Sequence, residues 1–477
     1  MDILAAGLHA ADPAACVARH LRADDDGLMV GGLRRQGAGD PARMALGDVG
    51  LEGAGDLARI AWSDIDRLLL VAVGKAAAAM AASAEAILGE RVAGGMIIAP
   101  TGTDAASRRA MVLHAGHPLP DPAGLMATRA VLRLLEGTSA RDVVLVLLSG
   151  GASAMLEQPA GRRMPLVDIA VATSALLSSG ATIDEINAVR KHVSAVKGGQ
   201  LVRAAAPARV VTLVLSDVAS GRLDTVGSGP TAPDPTTFAD AARVITARGL
   251  WGAMPASIGE HLRAGMAGDV PETPKPGDPL FAGTILRTVG DNAGAAEAAA
   301  ERAIALGYAT NILTTRLEGE SREAGRFLAA IGREIALDGR PLHAPACLVV
   351  GGETTVTLRR LGGSGGRNRE LALAAALALA DVGGGDGEGS RGSGDPILLA
   401  ALGTDGADAG ADAAGAIVDG TTVARAAAAG LDAAGALERH DSGPFFAALG
   451  DALITGPTGT NVRDLVVVLV GEPPAGR

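Results

Sequence analysis

The stretch LLLVAVGKAAAAM, residues 68–80, carries the pattern that organises this sequence. Six apolar residues run without a break to Gly74, one lysine follows, and an alanine-rich segment comes next. A continuous apolar run that ends at a glycine and leads into a helical pattern is typical of a buried strand followed by a helix. Lys75 stands out because the chain has only four lysines among its 42 basic side chains.

The same alternation of apolar runs and helical patterns recurs along most of the chain. The predicted strands are 67–73, 95–99, 111–115, 142–148, 208–215, 284–289, 308–314, 346–358, 396–402 and 464–471. Continuous apolar strands joined by helices indicate parallel sheet that is buried on both faces. Because one sheet should not hold ten strands, we predict an α/β fold with two domains. Residues 1–270 should form a Rossmann-like parallel sheet flanked by helices, and residues 271–477 an α/β domain with a mixed sheet.

Two polar stretches interrupt this pattern. Residues 265–281, GMAGDVPETPKPGDPLF, contain four prolines and no apolar periodicity, so we place the domain boundary there. Residues 383–395, GGGDGEGSRGSGD, contain no apolar side chain to bury. This second stretch is therefore predicted to be a flexible surface loop inside the second domain.

Composition and charge exclude several classes of protein. The 477 residues carry a net charge of −11 and no basic run, which argues against nucleic-acid binding. Two cysteines, Cys16 and Cys347, are too few for a disulfide framework or a zinc site. The sequence shows no run of about 20 apolar residues that could span a membrane, and its first residues lack the basic region of a signal peptide. We therefore expect a cytoplasmic protein.

Ligands of open α/β sheets bind beyond the carboxyl ends of the strands, so the residues that follow the apolar runs are the first site candidates. At Gly74 and Lys75, a sharp turn would lead into a helix whose first N–H groups are free. Together with the lysine ammonium, these groups would suit an anion such as a phosphate or a carboxylate. A solvated lysine with no ligand is the alternative.

A second candidate, LLSGGASAM at 147–155, has the composition of an anion-binding turn. Ser149, Gly150, Gly151 and Ser153 would offer backbone N–H groups and hydroxyls to a phosphate. The alternative is an ordinary turn between a strand and a helix, with a serine as the N-cap.

A third candidate is the polar loop VLSDVASGRLDTVGSGPTAPDPTT at 214–237. Asp217 at the strand tip could hold Mg²⁺ or take a proton, and Gly229 within GSGPT would add a backbone donor. Loops of this length are uncommon, and ordered ones are usually functional. A turn-forming role for Asp217 is the alternative.

A fourth candidate joins GGETTV (351–356) to GGSGGRNRE (362–370) in the second domain. Gly365 and Gly366 precede a predicted helix whose first turn contains two arginines, Arg367 and Arg369. Cations at a helix N-terminus oppose the helix dipole, so their presence favours a bound anion between them.

Other chemistries are weakly supported. GTDGADAGADAAGAIVD at 403–419 places Asp405, Asp408 and Asp412 after a predicted strand, but the order of an EF-hand calcium loop is missing. Asp405 or Asp408 could face a metal or a substrate, and an Asp-Gly turn is the alternative. His114 and His117 lack a third zinc ligand nearby. No GxSxG elbow directly follows a predicted strand, as a hydrolase would require, and no GxGxxG opens a predicted helix with a ribose-binding acid about 20 residues later.

Taken in order, these segments resemble the glycerate 2-kinase family, which combines an N-terminal glycerate-kinase domain with a C-terminal MOFRL domain. The matching stretches are AVGKAAAAM, GHPLPD, LLSGGASAM, INAVRKHVSAVKGG, SDVASGRLDTVGSGPTAPDPTT, GGETTVTL, GGRNRELAL, GTDGADAGADAAGAIVD and TGPTGTNVRDL. They span most of the chain between residues 71 and 465. One of them, SDVASGRLDTVGSG, departs from the commoner proline-containing SDVPGD form.

The resemblance implies an enzyme that phosphorylates the 2-hydroxyl of D-glycerate with ATP and Mg²⁺, with its active site in the cleft between two α/β domains. It implies that Lys75 is the active-site lysine and Arg367 its arginine partner. On this basis we assign the glycine-rich loops and helix N-termini to the ATP phosphates. Lys75 and Arg367 would neutralise charge on the transferred phosphoryl group or bind the glycerate carboxylate. Asp217 would orient the substrate hydroxyl or hold Mg²⁺, with Asp405 as the second candidate metal ligand.

Two other functions, and the formation of a homodimer, are left open by the sequence. A hydroxypyruvate reductase, a name given to similar sequences, would need NAD(P)H, for which no fingerprint is found. A regulator with a degenerate anion site is the non-enzymatic alternative. Whether the protein forms a homodimer is left open by the sequence.

Overall fold

The computed structural model describes residues 1–31, 57–161, 163–218, 221–358, 363–380, 396–410 and 412–472. Their contacts divide the chain into two compact units. The N-terminal unit is Pro13–Val289, and the C-terminal unit combines Met1–Asp12 with Gly290–Arg477. The boundary predicted between residues 270 and 271 stays a prediction, and the predicted loop at 383–395 lies outside the described residues.

The N-terminal unit is a sheet with helices on both sides. Its strands are β1 (Leu21–Ala23), β2 (Gly27–Val30), β3 (Ala58–Ala61), β4 (Arg67–Val73), β5 (Val92–Pro100), β6 (Ala110–Ala115), β7 (Asp142–Leu148), β8 (Arg209–Leu215) and β9 (Ile285–Gly290). Its helices are α2 (Pro13–His20), α3 (Ala77–Leu88), α4 (Pro122–Leu135), α5 (Ala152–Met155), α6 (Leu166–Ser178), α7 (Ile183–His192), α8 (Gln200–Ala205), α9 (Phe238–Ala247) and α10 (Ala256–Ala267).

The main sheet of this unit has the strand order β6-β5-β4-β7-β8-β9. Strands β4 to β8 pair in parallel, and Val73 at the end of β4 lies opposite Leu148 at the end of β7. The chain order of the strands reverses between β4 and β7, as in a Rossmann fold, and ligands bind at such a reversal. The predicted Rossmann-like parallel sheet is confirmed. It forms because its central strands are uninterrupted apolar runs that helices cover on both faces.

A small antiparallel sheet of β1, β2 and β3 was not predicted. Its strands have only three or four residues, and exposed or half-buried side chains interrupt them. Such short segments lack the apolar periodicity on which the strand predictions rest.

The C-terminal unit is built around a second sheet. Its strands are β10 (Ala309–Leu317), β11 (Ala346–Gly352), β12 (Ile397–Gly403), β13 (Gly415–Asp419), β14 (Ala452–Leu453) and β15 (Asp464–Val470). Its helices are α1 (Asp2–Ala10), α11 (Asn292–Ala305), α12 (Ser321–Asp338), α13 (Arg367–Ala380), α14 (Thr422–Ala428), α15 (Ala433–Glu438) and α16 (Ser442–Leu449).

The second sheet has the order β10-β11-β15-β12-β13-β14. Only β10 and β11 pair in parallel among these described strands, and the remaining pairs are antiparallel, so the predicted mixed sheet is confirmed. Gly352 and Gly403 both lie opposite Asp464, which places the ends of β11 and β12 beside the start of β15.

The strand predictions agree with most of the observed elements, and their errors have simple causes. The run predicted as 346–358 ends as a strand at Gly352, because the polar segment after it leaves the sheet. Strand β14 was missed because it has only two residues, and β13 because its sequence, GAIVD, has only three consecutive apolar residues. No helix in the described part of the chain combines the length and the apolar character needed to cross a membrane.

Candidate functional site

The turns after β4 and β7 are locked together by hydrogen bonds. Ser149 N–H donates to the Val73 carbonyl at 3.1 Å, and Lys75 N–H donates to the Gly150 carbonyl at 2.9 Å. Ser149 Oγ also accepts a hydrogen bond from the N–H of Ala76 at 3.0 Å, which leaves its own hydroxyl hydrogen to donate. The two turns therefore form one rigid edge at the point where the strand order reverses.

Gly74 is required by this contact. Its φ of +126° is rarely adopted by residues with a side chain, and a Cβ at this position would overlap Ser149 Oγ. The glycine thus lets the backbone of Lys75 reach the turn after β7. The Lys75 side chain itself is exposed.

Two further glycines bring charged side chains from other strands to the same edge. A Cβ on Gly150 would overlap Oδ2 of Asp217, so the carboxylate lies directly against the Gly150 backbone. A Cβ on Gly151 would lie 3.1 Å from Cδ2 of His117 and 3.3 Å from Cγ of Lys75. Among the described residues, no oxygen accepts a hydrogen bond from the N–H of Gly150 or of Gly151. Successive free N–H groups of this kind can bind an anion.

The helix after this turn is shorter than the sequence suggested, since α5 has only four residues. Ser153 Oγ lies 2.8 Å from Ser228 Oγ, which donates to Asn187 Oδ1 at 2.8 Å. The Ser153 hydroxyl therefore ties α5 to α7 through residues 226–229. Its contacts are with the protein itself.

Gly229 forms a tight turn in the same segment, residues 226–229. Its φ is +61°, its N–H donates to the Val226 carbonyl at 2.9 Å, and a Cβ would lie 2.6 Å from the Asp224 carbonyl oxygen. The structure thus uses this glycine for a tight turn, and its N–H already has an acceptor.

Sequence reasoning missed two residues around this edge, His117 beside Lys75 and Arg190, whose charge acts on His117. Partial burial lowers the pKa of His117 below its ordinary value of 6.5, and the charges of Lys75 and Arg190 lower it further. His117 was considered only as a zinc ligand, and Arg190 was quoted in a motif without a role. His117 could have been proposed as a site residue, because GHPLPD follows a predicted strand. The sequence does not show, however, in which direction the His117 side chain points.

In the C-terminal unit, Arg367 lies at the edge where β11, β12 and β15 meet. Its Nε donates to Asp464 Oδ2 at 2.6 Å, and Nη2 donates to Asp464 Oδ1 at 2.9 Å. Its Nη1 forms an ion pair with Glu353 Oε1 at 2.9 Å, and Arg463 approaches the other oxygen of Glu353 at 3.4 Å. Arg367 is therefore part of a network of alternating charges.

Burial dominates the electrostatics of this network. It raises the pKa of Asp464 from 3.8 to about 6, although the hydrogen bonds and the charge of Arg367 act in the opposite direction. Burial alone would lower the pKa of Arg367, but Asp464 and Glu353 raise it above its ordinary value. The arginine is thus always charged, whereas Asp464 can take up a proton in mildly acidic solution.

The other arginine of the α13 N-terminus also has a carboxylate partner. Arg369 Nε donates to Asp408 Oδ2 at 3.0 Å, and the backbone N–H groups of Asn368 and Arg369 donate to the same carboxylate. A Cβ on Gly366 would overlap the Asp408 carboxylate, and one on Gly365 would lie 2.6 Å from Ser442 Oγ. The anions that accompany these two arginines are therefore carboxylates of the protein itself.

Asp405 lies near this edge, half-buried. Its Oδ1 accepts a hydrogen bond from the Ala407 N–H at 3.1 Å, the geometry of a turn. The described residues contain no cluster of three or more histidine, cysteine, aspartate or glutamate side chains that could hold a metal ion. A metal at Asp217 or Asp405 would therefore need most of its ligands from a bound substrate or from water.

The predicted site residues thus form two groups, one in each unit. Gly74, Lys75, Ser149, Gly150, Gly151 and Asp217 meet at the carboxyl edge of the N-terminal sheet. Arg367, Gly366 and Asp405 lie around β12, β15 and the start of α13 in the C-terminal unit. Ser153, Gly229 and Gly365 stabilise the surrounding loops.

Comparison with known proteins gives two family matches. Residues 1–263 match the family described as a domain of unknown function (DUF4147). Residues 346–464 match the MOFRL family. The two matches cover parts of the chain that contain the two groups of predicted site residues.

Curated relatives match over most of their length. The chain is 39% identical over 404 residues to the glycerate 2-kinase of Pyrococcus horikoshii. The aligned residues cover 85% of this chain and 87% of that protein. It is 41% identical over 408 residues to the D-glycerate 2-kinase of Thermotoga maritima, with coverage of 85% and 91%. A protein of Agrobacterium vitis named putative hydroxypyruvate reductase is 42% identical over 406 residues, with coverage of 85% and 87%.

Solved structures agree with the sequence comparison. A protein from Pyrococcus horikoshii OT3 superposes with a TM-score of 0.80 at 36% identity, covering 99% of this chain and 97% of that one. The glycerate kinase of Thermotoga maritima superposes with a TM-score of 0.79 at 37% identity, covering 98% of each chain. The chain therefore belongs to the glycerate 2-kinase family, as the resemblance of its motifs predicted.

Proposed function

We propose that this protein transfers a phosphoryl group from ATP to the 2-hydroxyl of D-glycerate and releases ADP and 2-phosphoglycerate. The observation that carries the proposal is the grouping of Lys75, Asp217 and the N–H groups of Gly150 and Gly151 at the strand-order reversal. Relatives named glycerate 2-kinase and D-glycerate 2-kinase support this substrate and this position of transfer.

Phosphoryl transfer needs positioning and charge neutralisation more than covalent catalysis. The free N–H groups of Gly150 and Gly151 would bind phosphate oxygens, and the Ser149 hydroxyl could donate one further hydrogen bond. Lys75, a compact ammonium on a flexible stem, would follow the phosphoryl group as it moves from donor to acceptor. Because Gly74 and Gly150 hold its backbone in place, the flexibility is confined to the side chain.

Asp217 has two candidate roles, both of which its position supports. Its carboxylate could accept a hydrogen bond from the substrate hydroxyl and so orient the attacking oxygen. It could also hold Mg²⁺, which proteins usually bind through one or two carboxylates together with substrate phosphates and water. When bound, Mg²⁺ would neutralise charge on the phosphates. Asp405 is the second candidate ligand, although its hydrogen bond to Ala407 already satisfies part of its carboxylate.

Arg367 is the candidate catalytic residue of the C-terminal unit. Asp464 and Glu353 hold its guanidinium in one orientation through two hydrogen bonds and an ion pair. A guanidinium fixed in this way loses little side-chain entropy when it contacts a phosphoryl group. We therefore assign Asp464 and Glu353 the role of positioning Arg367.

A reductase function is less well supported, despite the relative named putative hydroxypyruvate reductase. The turn between β4 and α3 contains only Gly74, where a dinucleotide-binding turn has three glycines. Strand β5 ends at Pro100 and is followed by Thr101, Gly102 and Thr103, so no acidic side chain stands directly at its carboxyl end to bind a ribose hydroxyl. Lys75 and Asp217 also have no evident part in hydride transfer.

The test is a direct assay of purified protein with ATP, Mg²⁺ and D-glycerate. Phosphorus NMR of the products should show ADP and 2-phosphoglycerate, and the Lys75→Met variant should form them far more slowly. Formation of 3-phosphoglycerate would contradict the assigned hydroxyl. Oxidation of NADH with hydroxypyruvate, without ADP formation in the first assay, would replace the kinase proposal by the reductase.

A further inference from the structure

Three consecutive basic residues, Arg190, Lys191 and His192, end helix α7, but their surroundings differ. Lys191 is buried and binds Asp224 at 2.8 Å and Asp234 at 3.3 Å. His192 contacts Glu272 at 3.1 Å and the Ala188 carbonyl at 2.7 Å. Within the described part of the chain, no residue forms a hydrogen bond or ion pair with the half-buried guanidinium of Arg190. Adjacent residues on a helix point about 100° apart, so Arg190 faces a different part of the unit.

The contacts of α7 identify that part. Asn187, one turn before Arg190, accepts a hydrogen bond from Ser228, which contacts Ser153. Residues three apart on a helix share a face, so Arg190 lies on the side of α7 that is tied to the turn after β7. That turn contains Gly150 and Gly151, against which Asp217, Lys75 and His117 pack.

The carboxylate whose charge acts on Arg190 is Glu157, and Lys197 already pairs with it. The titratable groups whose charges interact with Arg190 are His117, Glu157 and Lys197. Glu157 Oε2 is already bound to Lys197 Nζ at 2.5 Å, and the same ammonium donates to the Leu156 carbonyl at 3.0 Å. The Glu157–Lys197 pair is therefore neutral by itself, and Arg190 adds a positive charge. A partly desolvated cation with no paired anion is costly, and a bound anion would offset that cost.

We propose that Arg190 binds the carboxylate of the acceptor substrate. This inference rests on the proposed function, because it assigns the acceptor's acid group within the same site. The planar guanidinium can bind a carboxylate through two parallel hydrogen bonds, whereas Lys75 offers a point charge that suits the moving phosphoryl group. Arg190 would thus select a hydroxy acid over a neutral polyol and hold its hydroxyl toward Lys75 and Asp217.

The test separates binding of the acceptor from binding of the nucleotide. Arg190→Met should raise the KM for D-glycerate by about 100-fold, as expected for loss of a charged, bidentate contact, and should leave the KM for ATP within about twofold. Arg190→Lys should recover part of the loss. With D-glyceramide, in which a neutral amide replaces the carboxylate, Arg190→Met should change kcat/KM little, because the contact is already missing.

The matched control is Arg203→Met, which removes an exposed arginine from helix α8 of the same unit. It should match the wild type in both KM values, and thermal melting should show that both variants fold. A raised KM for ATP with an unchanged KM for D-glycerate would overturn the proposal, and so would unchanged kinetics in Arg190→Met.

A failure of the proposed function would look different. In that case the wild type would form no ADP with D-glycerate. Calorimetric titration of D-glycerate into nucleotide-free wild-type and Arg190→Met protein would still measure the carboxylate contact without turnover. Equal affinities in that titration would refute the role of Arg190 independently of catalysis.

Discussion

The guanidinium of Arg367 holds both oxygens of the Asp464 carboxylate, with an Nε–Oδ2 distance of 2.6 Å and an Nη2–Oδ1 distance of 2.9 Å. The two residues are 97 positions apart in the chain and meet at the start of β15. Asp464 is 4% exposed, so its carboxylate is buried. Glu353 and Asp405 lie at the same edge of the sheet.

The stability of the protein should depend on the ionisation of Asp464. Its pKa in the folded protein, about 6, lies above its ordinary value of 3.8, so the folded state binds the proton more tightly than the unfolded state. The contribution of Asp464 is therefore fully present below about pH 3.8 and is lost as the pH rises through about 6. The expected loss is roughly 1–3 kcal/mol in the free energy of unfolding.

Urea unfolding of the wild type and of Asp464→Asn between pH 4 and pH 7.5 measures this effect. The free energy of the wild type relative to the variant should fall as the pH rises across this range, because asparagine does not titrate. A constant difference across the range would show that the pKa of Asp464 is not raised in the folded state.

Removal of the Lys75 charge should impair turnover without affecting folding. Because the side chain is exposed, Lys75→Met should leave the unfolding free energy within about 0.5 kcal/mol of the wild type. It should lower kcat by about 100-fold or more if the ammonium stabilises charge in the transition state. Lys75→Arg should recover little activity, since the guanidinium is larger and more rigid. Near-normal kcat in folded Lys75→Met would return this lysine to a solvated surface role.

A methyl group at Gly150 should displace Asp217. The added Cβ would overlap the Asp217 carboxylate, so Gly150→Ala should force this side chain away from the turn after β7. We expect a loss of about 10–100-fold in kcat/KM together with about 1–3 kcal/mol in stability. Gly137→Ala is the control, because a Cβ at Gly137 meets no atom within 4 Å. Equal kinetics for the two variants would mean that Asp217 does not serve the reaction from its observed position.

The imidazole of His117 should report directly on the charge of Lys75. Partial burial and the charges of Lys75 and Arg190 hold the pKa of His117 below its ordinary value of 6.5, so the ring should be neutral at pH 7. Proton NMR titration should give a midpoint below 6.5 in the wild type. Lys75→Met should move that midpoint upward, because a nearby positive charge has been removed. An unchanged midpoint would show that the two side chains are too far apart to interact.

The strands of the N-terminal sheet were the most predictable part of the fold. Strands β4 and β7 have the bounds predicted from their apolar runs, 67–73 and 142–148. Strands buried on both faces must be apolar at every position, so their limits are visible in the sequence. The glycines that follow these strands, and Asp217 after β8, were found for the same reason, since they stand where the apolar runs stop.

The surroundings of the basic residues were not predictable. Lys191 and Lys197 fall in the same matched stretch, yet both are buried in ion pairs, with Asp224 and Glu157 respectively. The two arginines at the start of α13 were predicted to share an external anion, whereas each has a carboxylate of the protein as its partner. Sequence position does not distinguish a lysine that is available to a ligand from one that a distant carboxylate neutralises.

By itself, the sequence determined the α/β class, the location of the turns that follow the strands, and the family. Only the tertiary structure decided that Arg367 is held by Asp464 and Glu353, that His117 lies beside Lys75, and that the charge of Arg190 acts on His117. The physical reason is that a sequence pattern reports local properties of a segment, whereas the tertiary structure also shows contacts between distant segments. Apolar periodicity records how a segment meets solvent, which is a local property. The partner of a charge is chosen by the folding of segments far apart in the chain, and no local pattern encodes it.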